Sequence, residues 1–239
     1  MEKFNSDFNF FWKKIETGEN FVFTRYADGE VLLMKGLSVN HNTQAYNIDK
    51  WSSPSTLTKV GEQLLQTLEH KDKNYYYAIS SKSDNIQDYD FLIKNIKQDV
   101  SNITFVNLWI NANYLKTLNK FKSLKREVNL ICNYKAKSEN FPFKVKTITH
   151  FPDDCVKFWE EKNDEFINEL CLKYQNCNNE LFFISCGPVS EIIIHNLYLL
   201  NKNNTYIDVG SSIDEFVHKT KTRPYMDDNT VFSKMISNF

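Results

Sequence analysis

A chain of 239 residues with 41% hydrophobic and 25% charged residues can bury its own core without a disulfide or metal staple, which excludes wholesale disorder, collagen-like repeats and coiled coil. Its 29 basic and 30 acidic residues leave a formal net charge of -1, and this argues against a life on nucleic acid, because neutralising phosphates needs a net basic face. The N-terminal MEKFNSDFNFFWKK has no basic start, apolar run and small-residue cleavage site, and no window approaches the roughly 20 apolar residues that span a bilayer. A cytoplasmic protein is expected, with peripheral association at the inner membrane face as its closest approach to lipid. Cys132, Cys155, Cys171, Cys177 and Cys186 are odd in number and irregularly spaced, which reads as free thiols in a reducing compartment.

In chain order, Phe4, Phe8, Phe11, Trp12 and Ile15 recur at helical spacing and predict a helix over Phe4–Glu16 with Gly18 as its C-terminal cap. Asn20–Thr24 predicts a strand that runs into a loop over Arg25–Glu30. Helices are expected over Ser55–Leu68, Tyr89–Ile96, Ile110–Phe121, Asp153–Tyr174 and Val189–Leu200. Strands are expected over Tyr75–Ile79, Ile103–Val106, Val128–Cys132, Val145–Ile148, Leu181–Ser185 and Thr205–Val209. Strands that alternate with helices along most of a chain imply an α/β fold, a mostly parallel, Rossmann-like sheet with helices on both faces. With no repeat or linker, residues 1–239 read as one domain, with 219–239 as a C-terminal arm.

Ligands of an open parallel sheet bind beyond the carboxyl ends of its strands, so the segments that follow strands carry the candidate chemistry. In Arg25-Tyr26-Ala27-Asp28-Gly29-Glu30, two carboxylates flank a glycine that lets the backbone approach a ligand. Such a pair suits Mg²⁺ or Mn²⁺ bound jointly with substrate phosphates, and Arg25 can face a phosphate or pair with a carboxylate. A solvated acidic turn is the plain alternative. In Ser185-Cys186-Gly187-Pro188, a Gly-Pro turn leads into a helix whose first amides can receive an anion, or it simply connects strand to helix. After the last strand, Asp208 and Asp214 in Asp208-Val209-Gly210-Ser211-Ser212-Ile213-Asp214 are candidates for binding a sugar hydroxyl or for a general base. Helix capping by Ser212 or Asp214 is the alternative. Arg223, followed by Tyr225, is placed to close over a phosphate, or else lies in an exposed tail. Glu191 and Asp227 are the carboxylates next in line for the base. The histidines form no ligand spacing, and His195 on an apolar helix face reads as a core residue.

Taken together, these segments resemble the GT-D-fold glycosyltransferases. RYADGE resembles that family's R-[YF]-x-D-G-E motif, and LFFISCGPVSEIIIHNLYLLNKNNTYIDVGSSIDEF resembles its second signature, a strand, Gly-Pro turn, helix and strand leading to an Asp-x-Gly segment. Ala27 stands where glycine is frequent, and Cys186 at a position of variable type. The resemblance implies a single GT-D-like domain that moves a sugar from a nucleotide-sugar donor, usually a UDP-sugar, to a glycan or glycoconjugate acceptor, as in polysaccharide assembly. It implies that Asp28 and Glu30 act with Mn²⁺ or Mg²⁺ at the donor diphosphate. Arg25, Gly29, Ser185, Gly187, Pro188 and Arg223 are the expected donor-binding residues, and Asp28, Glu30, Asp208 and Asp214 the catalytic ones. A phosphotransferase, a nucleotide-sugar hydrolase and a non-catalytic nucleotide-fold binding protein are the alternatives.

Overall fold

The computed structural model describes residues 2–38 and 56–238. Its helices are α1 (Glu2–Thr17), α2 (Asp28–Met34), α3 (Lys59–Thr67), α4 (Ile86–Asn95), α5 (Tyr114–Ser123), α6 (Cys155–Tyr174), α7 (Ser190–Leu200) and α8 (Asp214–His218). Its strands are β1 (Val22–Tyr26), β2 (Tyr75–Ile79), β3 (Ile103–Phe105), β4 (Val128–Asn133), β5 (Val145–Phe151), β6 (Leu181–Ser185) and β7 (Thr205–Asp208). The strands form one seven-stranded sheet in the order β3-β2-β1-β7-β6-β4-β5, and every neighbouring pair is parallel. The α/β reading of the sequence therefore stands, with the sheet parallel throughout. None of the described helices is long and apolar enough to cross a membrane.

The pleat sends successive side chains to opposite faces, and each face has its own core. Phe182 and Ile184 of β6 join Val31, Leu64, Trp159 and Ile193 on one face. Leu181 and Phe183 join Phe8, Trp12, Trp109 and Phe121 on the other. The aromatic runs of the sequence are core material. Phe11 packs edge-on to Phe23 at 4.9 Å between ring centres, and Trp12 meets Trp109 at 5.7 Å. Gly18 ends α1 with φ +75°, and none of the five cysteines forms a disulfide.

Several boundaries move, each for a local reason. The segment expected as a loop over Arg25–Glu30 is instead the end of β1 followed by the first turn of α2. There the Glu30 carboxylate turns back to accept the Ala27 N–H at 2.8 Å, which nucleates the helix in the manner of a capping box. The helix expected from Ser55, α3, begins at Lys59, where the Thr58 hydroxyl accepts the Gly61 N–H, while Ser55 itself lies outside the described residues. The next begins at Ile86, where the Asn85 side chain caps Gln87 and Asp88. The helix expected from Ile110 starts only at Tyr114, because Asn111 takes φ +53° ahead of it. β5 runs three residues further than expected, to Phe151. Residues expected as a C-terminal arm pack onto the body: Tyr225 and Met226 are buried, the Ala112 N–H donates to the Met235 carbonyl at 3.2 Å, and the Ser237 hydroxyl donates to Asp84 at 3.0 Å.

The helix that carries Asp28 and Glu30 is held by close packing against α3. A Cβ on Gly61 would stand 2.4 Å from the Leu33 carbonyl oxygen of α2, a backbone atom that cannot swing aside. Gly61→Ala is therefore expected to destabilise the protein by roughly 1–3 kcal/mol, as overpacking does elsewhere. Urea denaturation checks this, and an unchanged midpoint would show that α2 and α3 separate freely.

Candidate active site

The direction of chain progression reverses beside β1. The chain leaves β1 for β2 and β3 on one side, then fills the other half of the sheet and returns to β7 at the flank of β1. A crevice opens beyond the strand ends at such a switch point. Here it is a cleft of about 340 Å³ at the carboxyl ends of β1, β6 and β7. Arg25, Asp28, Gly29 and Glu30 line it from β1 and α2, Ser185, Gly187 and Pro188 from the β6–α7 turn, and Asp208, Asp214 and Arg223 from the last third of the chain. Every expected donor-binding and catalytic residue thus borders one space. Asn107, Ile110, Ser190, Ser211 and Tyr225 border it too.

Arg25 is fixed from three directions. Its Nε donates to the Val106 carbonyl at 2.8 Å, its Nη1 lies 3.7 Å from Asp208 Oδ2, and its own N–H donates to Glu191 Oε1 at 3.3 Å. It pairs with Asp208, not with the Asp28 and Glu30 of its own motif. Gly210 makes this possible. At φ +47° it takes a conformation few other residues adopt, and a Cβ there would sit 1.6 Å from Arg25 Nη1. The Gly210 N–H also donates to Asp208 Oδ1 at 2.7 Å, so both Asp208 oxygens are engaged.

The carboxyl groups of Glu30, Glu191 and Asp208 lie close enough to repel one another. Asp208 and Glu191 are buried, Glu191 completely, and their carboxyl groups lie within hydrogen-bonding reach of each other. Burial is the largest influence on each group and disfavours its charged form. It pushes Glu30 up to about 7, against the pull of the Ala27 N–H, with Asp28 and Asp208 adding repulsion. Glu191 is driven well above the usual carboxylate range by burial and then by Asp208 and Glu30. Asp208 is raised by burial and held back by Arg25. Asp28, by contrast, is exposed at the rim. An acid inside the otherwise apolar SEIIIHNLYLL helix was the sequence signal for Glu191. Ile110 had none, since its side chain is ordinary for a core.

The remaining elements close the cleft. Gly187 has φ +57°, which lets the chain turn sharply so that the Cys186 N–H donates to the Ser190 hydroxyl at 2.8 Å. Neither capping reading after β7 holds. Ser212 donates to the Val209 carbonyl at 2.7 Å, and α8 starts behind Ile213 with no side-chain cap. The Asp214 carboxylate instead accepts the Thr222 hydroxyl at 2.9 Å and lies 3.7 Å from Arg223 Nη2. Arg223 is thereby anchored at the cleft and not in an exposed tail. A smaller side pocket of about 80 Å³, walled by Asn133, Asp153, Cys155 and His218, shares Ser185, Gly187 and Asp214 with the cleft. His195 lies elsewhere, edge-on to His70 at 5.2 Å between ring centres. Asp227 accepts from Asn229 at 3.0 Å and does not border the cleft.

Among the described residues, no group of three or more His, Cys, Asp or Glu side chains is arranged to hold a metal by itself. What the cleft offers is an exposed carboxylate at Asp28, a second at Glu30 with one oxygen committed to the backbone, and arginines beside them. That donor set suits a hard cation sharing its coordination with phosphate and water.

The fold has solved counterparts. A structure described as a selenomethionine-substituted domain of unknown function 1792 superposes with a TM-score of 0.58 at 15% identity, covering 87% of this chain and 79% of that one. Another, described as showing that this highly conserved domain of unknown function 1792 has a distinct glycosyltransferase fold, gives a TM-score of 0.58 at 14% identity, covering 95% of this chain and 88% of that one. No protein-family model and no curated protein sequence matches the chain. At such identities the likeness establishes the fold, a glycosyltransferase-type α/β fold.

The raised Glu30 carboxyl has a consequence for pH. Between the ordinary carboxylate range, near 4.5, and about 7, the folded protein keeps a proton that the unfolded chain releases. Its stability contribution is thus complete below about 4.5 and is lost as pH rises through 7. Glu30→Gln keeps the cap on Ala27 and removes the titration, so the fall in melting temperature from pH 5 to pH 7.5 should be shallower in the variant than in the wild type. Parallel curves would mean that Glu30 is ionised throughout.

Proposed function

We propose that the protein is a metal-dependent glycosyltransferase that moves a sugar from a nucleotide-sugar donor, a UDP-sugar above all, to a glycan or glycoconjugate acceptor. The observation that carries this reading is the convergence on one cleft of both sequence signatures, the Arg25–Glu30 segment and the Ser185–Asp214 region. The glycosyltransferase-type fold and the likeness of those signatures to the GT-D enzymes support it further.

In this reading the donor diphosphate lies between Arg25, the Gly187-Pro188 turn and Arg223, where two guanidinium groups border the cleft. Arginine suits that task because its planar fork can engage two phosphate oxygens together. Asp28 and Glu30 would hold Mg²⁺ or Mn²⁺, which when bound stabilises the negative charge that develops on the diphosphate. Asp208 fixes the Arg25 side chain, because both of its oxygens already serve Arg25 and the Gly210 N–H. Asp214, which borders both the cleft and the side pocket, is the carboxylate assigned to the acceptor. In the transfer, an acceptor oxygen forms a bond to the anomeric carbon while the bond from that carbon to the diphosphate oxygen breaks. The electron pair leaves with the nucleoside diphosphate, and the acceptor hydroxyl proton passes to Asp214. Charge that develops on the leaving group is met by Arg25 and Arg223, which the protein has oriented beforehand.

Calorimetric titration of UDP tests this reading. Affinity should be higher with Mn²⁺ than in EDTA, and Asp28→Ala should lower the Mn²⁺-dependent affinity by roughly tenfold or more while leaving the melting temperature near that of the wild type, because Asp28 is exposed. Wild-type affinity in the folded variant would remove Asp28 from the site. With a panel of UDP-sugars and sugar acceptors, Asp214→Asn should lower turnover by roughly 10²-fold while donor affinity is retained. Release of free sugar with no acceptor product would favour a hydrolase instead.

A further inference from the structure

Next to the cleft lies a second depression, also of about 340 Å³. Ala112, Tyr114 and Leu115 at the start of α5, Tyr225, and Ser233 and Lys234 near the C-terminus are among its walls. The two spaces share Tyr225, and Ile110, which borders the cleft, immediately precedes Asn111 of the depression. Tyr225 is a fixed partition. Its hydroxyl donates to the Ser211 hydroxyl at 2.7 Å, and its ring meets Tyr114 edge-on at 5.1 Å. The far wall is tied down too, since the Ala112 N–H donates to the Met235 carbonyl.

The two spaces differ in chemistry. The cleft is walled by carboxylates and arginines, whereas aromatic rings and aliphatic carbon dominate the depression, with Asp228 and Lys234 its only charged residues among the described ones. Apolar side chains stay in water around it: Leu115 is 52% exposed, and Val231 and Phe232, just before Ser233, are 82% and 50% exposed. Apolar surface clustered beside a polar cleft marks a binding surface more often than chance exposure does. It also extends outward beyond the depression, which suits a chain leaving the site better than a planar ring enclosed by it.

We propose that this depression binds the hydrocarbon portion of the acceptor. The acceptor is then an amphiphile, with its sugar hydroxyl in the cleft and its alkyl chain running past Tyr225 over Leu115 and Phe232. The inference rests on the transferase reading and adds the acceptor class to it.

Octyl and methyl β-glucoside, both below the micelle concentration, probe the surface in the absence of donor, with binding followed by ligand-observed NMR. Burying two methylenes corresponds to about a tenfold gain, so the octyl glycoside should bind at least tenfold more tightly. Leu115→Glu, on the exposed side of α5, should abolish that preference while UDP affinity in Mn²⁺ stays unchanged, and Phe232→Ser should reduce it in the same way. Equal affinity for the two glycosides, an octyl preference that survives both substitutions, or displacement of the octyl glycoside by uridine would each overturn the proposal. Failure of the wild type to bind UDP, with the octyl preference intact and lost in Leu115→Glu, would count against the transferase reading and leave the hydrocarbon site standing.

Discussion

Folding this chain brings more acid than base to the end of its sheet. Glu30 arrives on α2, Glu191 on α7 and Asp208 at the end of β7; the Arg25 guanidinium pairs with Asp208, and the Arg25 backbone N–H serves Glu191. Burying carboxyl groups is costly unless they are protonated, paired or hydrogen-bonded, and the three meet that cost differently. Asp208 has Arg25 and the Gly210 N–H. Glu30 has the Ala27 N–H. Glu191 has the Arg25 N–H for one oxygen and, when protonated, a hydrogen bond to the Asp208 carboxylate. Their raised protonation ranges express the part that these contacts leave uncompensated. A crevice with that imbalance favours a ligand that carries cations with it, and a diphosphate chelated to a divalent metal is such a ligand.

The rest of the molecule keeps these groups from drifting apart. β1 lies between β2 and β7 in parallel register, which brings the ends of β1 and β7 side by side. Aromatic packing of α1 against β1, through Phe11 and Phe23, backs the strand that carries Arg25. On the opposite face, α2 sits against α3 at a glycine contact. Gly210 adds a constraint of its own, because at positive φ it leaves to Arg25 the volume a side chain there would need. The Asp-Val-Gly segment thus serves the arginine of a motif at the other end of the chain.

Much of this was legible in the sequence, and the parts that were not share a cause. Short apolar runs located the strands and the 3.6-residue period most helices, because a strand covered on both faces reads as a continuous apolar run while a helix buries one stripe. The residues at strand ends were legible because a parallel sheet binds ligands there. The register of Arg25 was not. Its partner Asp208 lies in a strand distant in sequence, and only the strand order β1-β7 brings them together. The start of α2 was missed because Asp28-Gly29-Glu30 reads as a turn until Glu30 is seen to cap its own helix. The capping reading of Asp214 failed in the opposite direction, since a local motif was offered where Thr222 and Arg223 supply the contacts.

In the proposed function this cleft takes a metal-chelated nucleoside diphosphate at its Asp28–Glu30 edge. Anomalous diffraction from crystals grown with UDP and Mn²⁺ would locate both. One manganese peak is expected beside the Asp28 and Glu30 carboxylates, with diphosphate density between it and Arg25. Diphosphate density away from Arg25, or manganese bound elsewhere with that edge vacant, would contradict it.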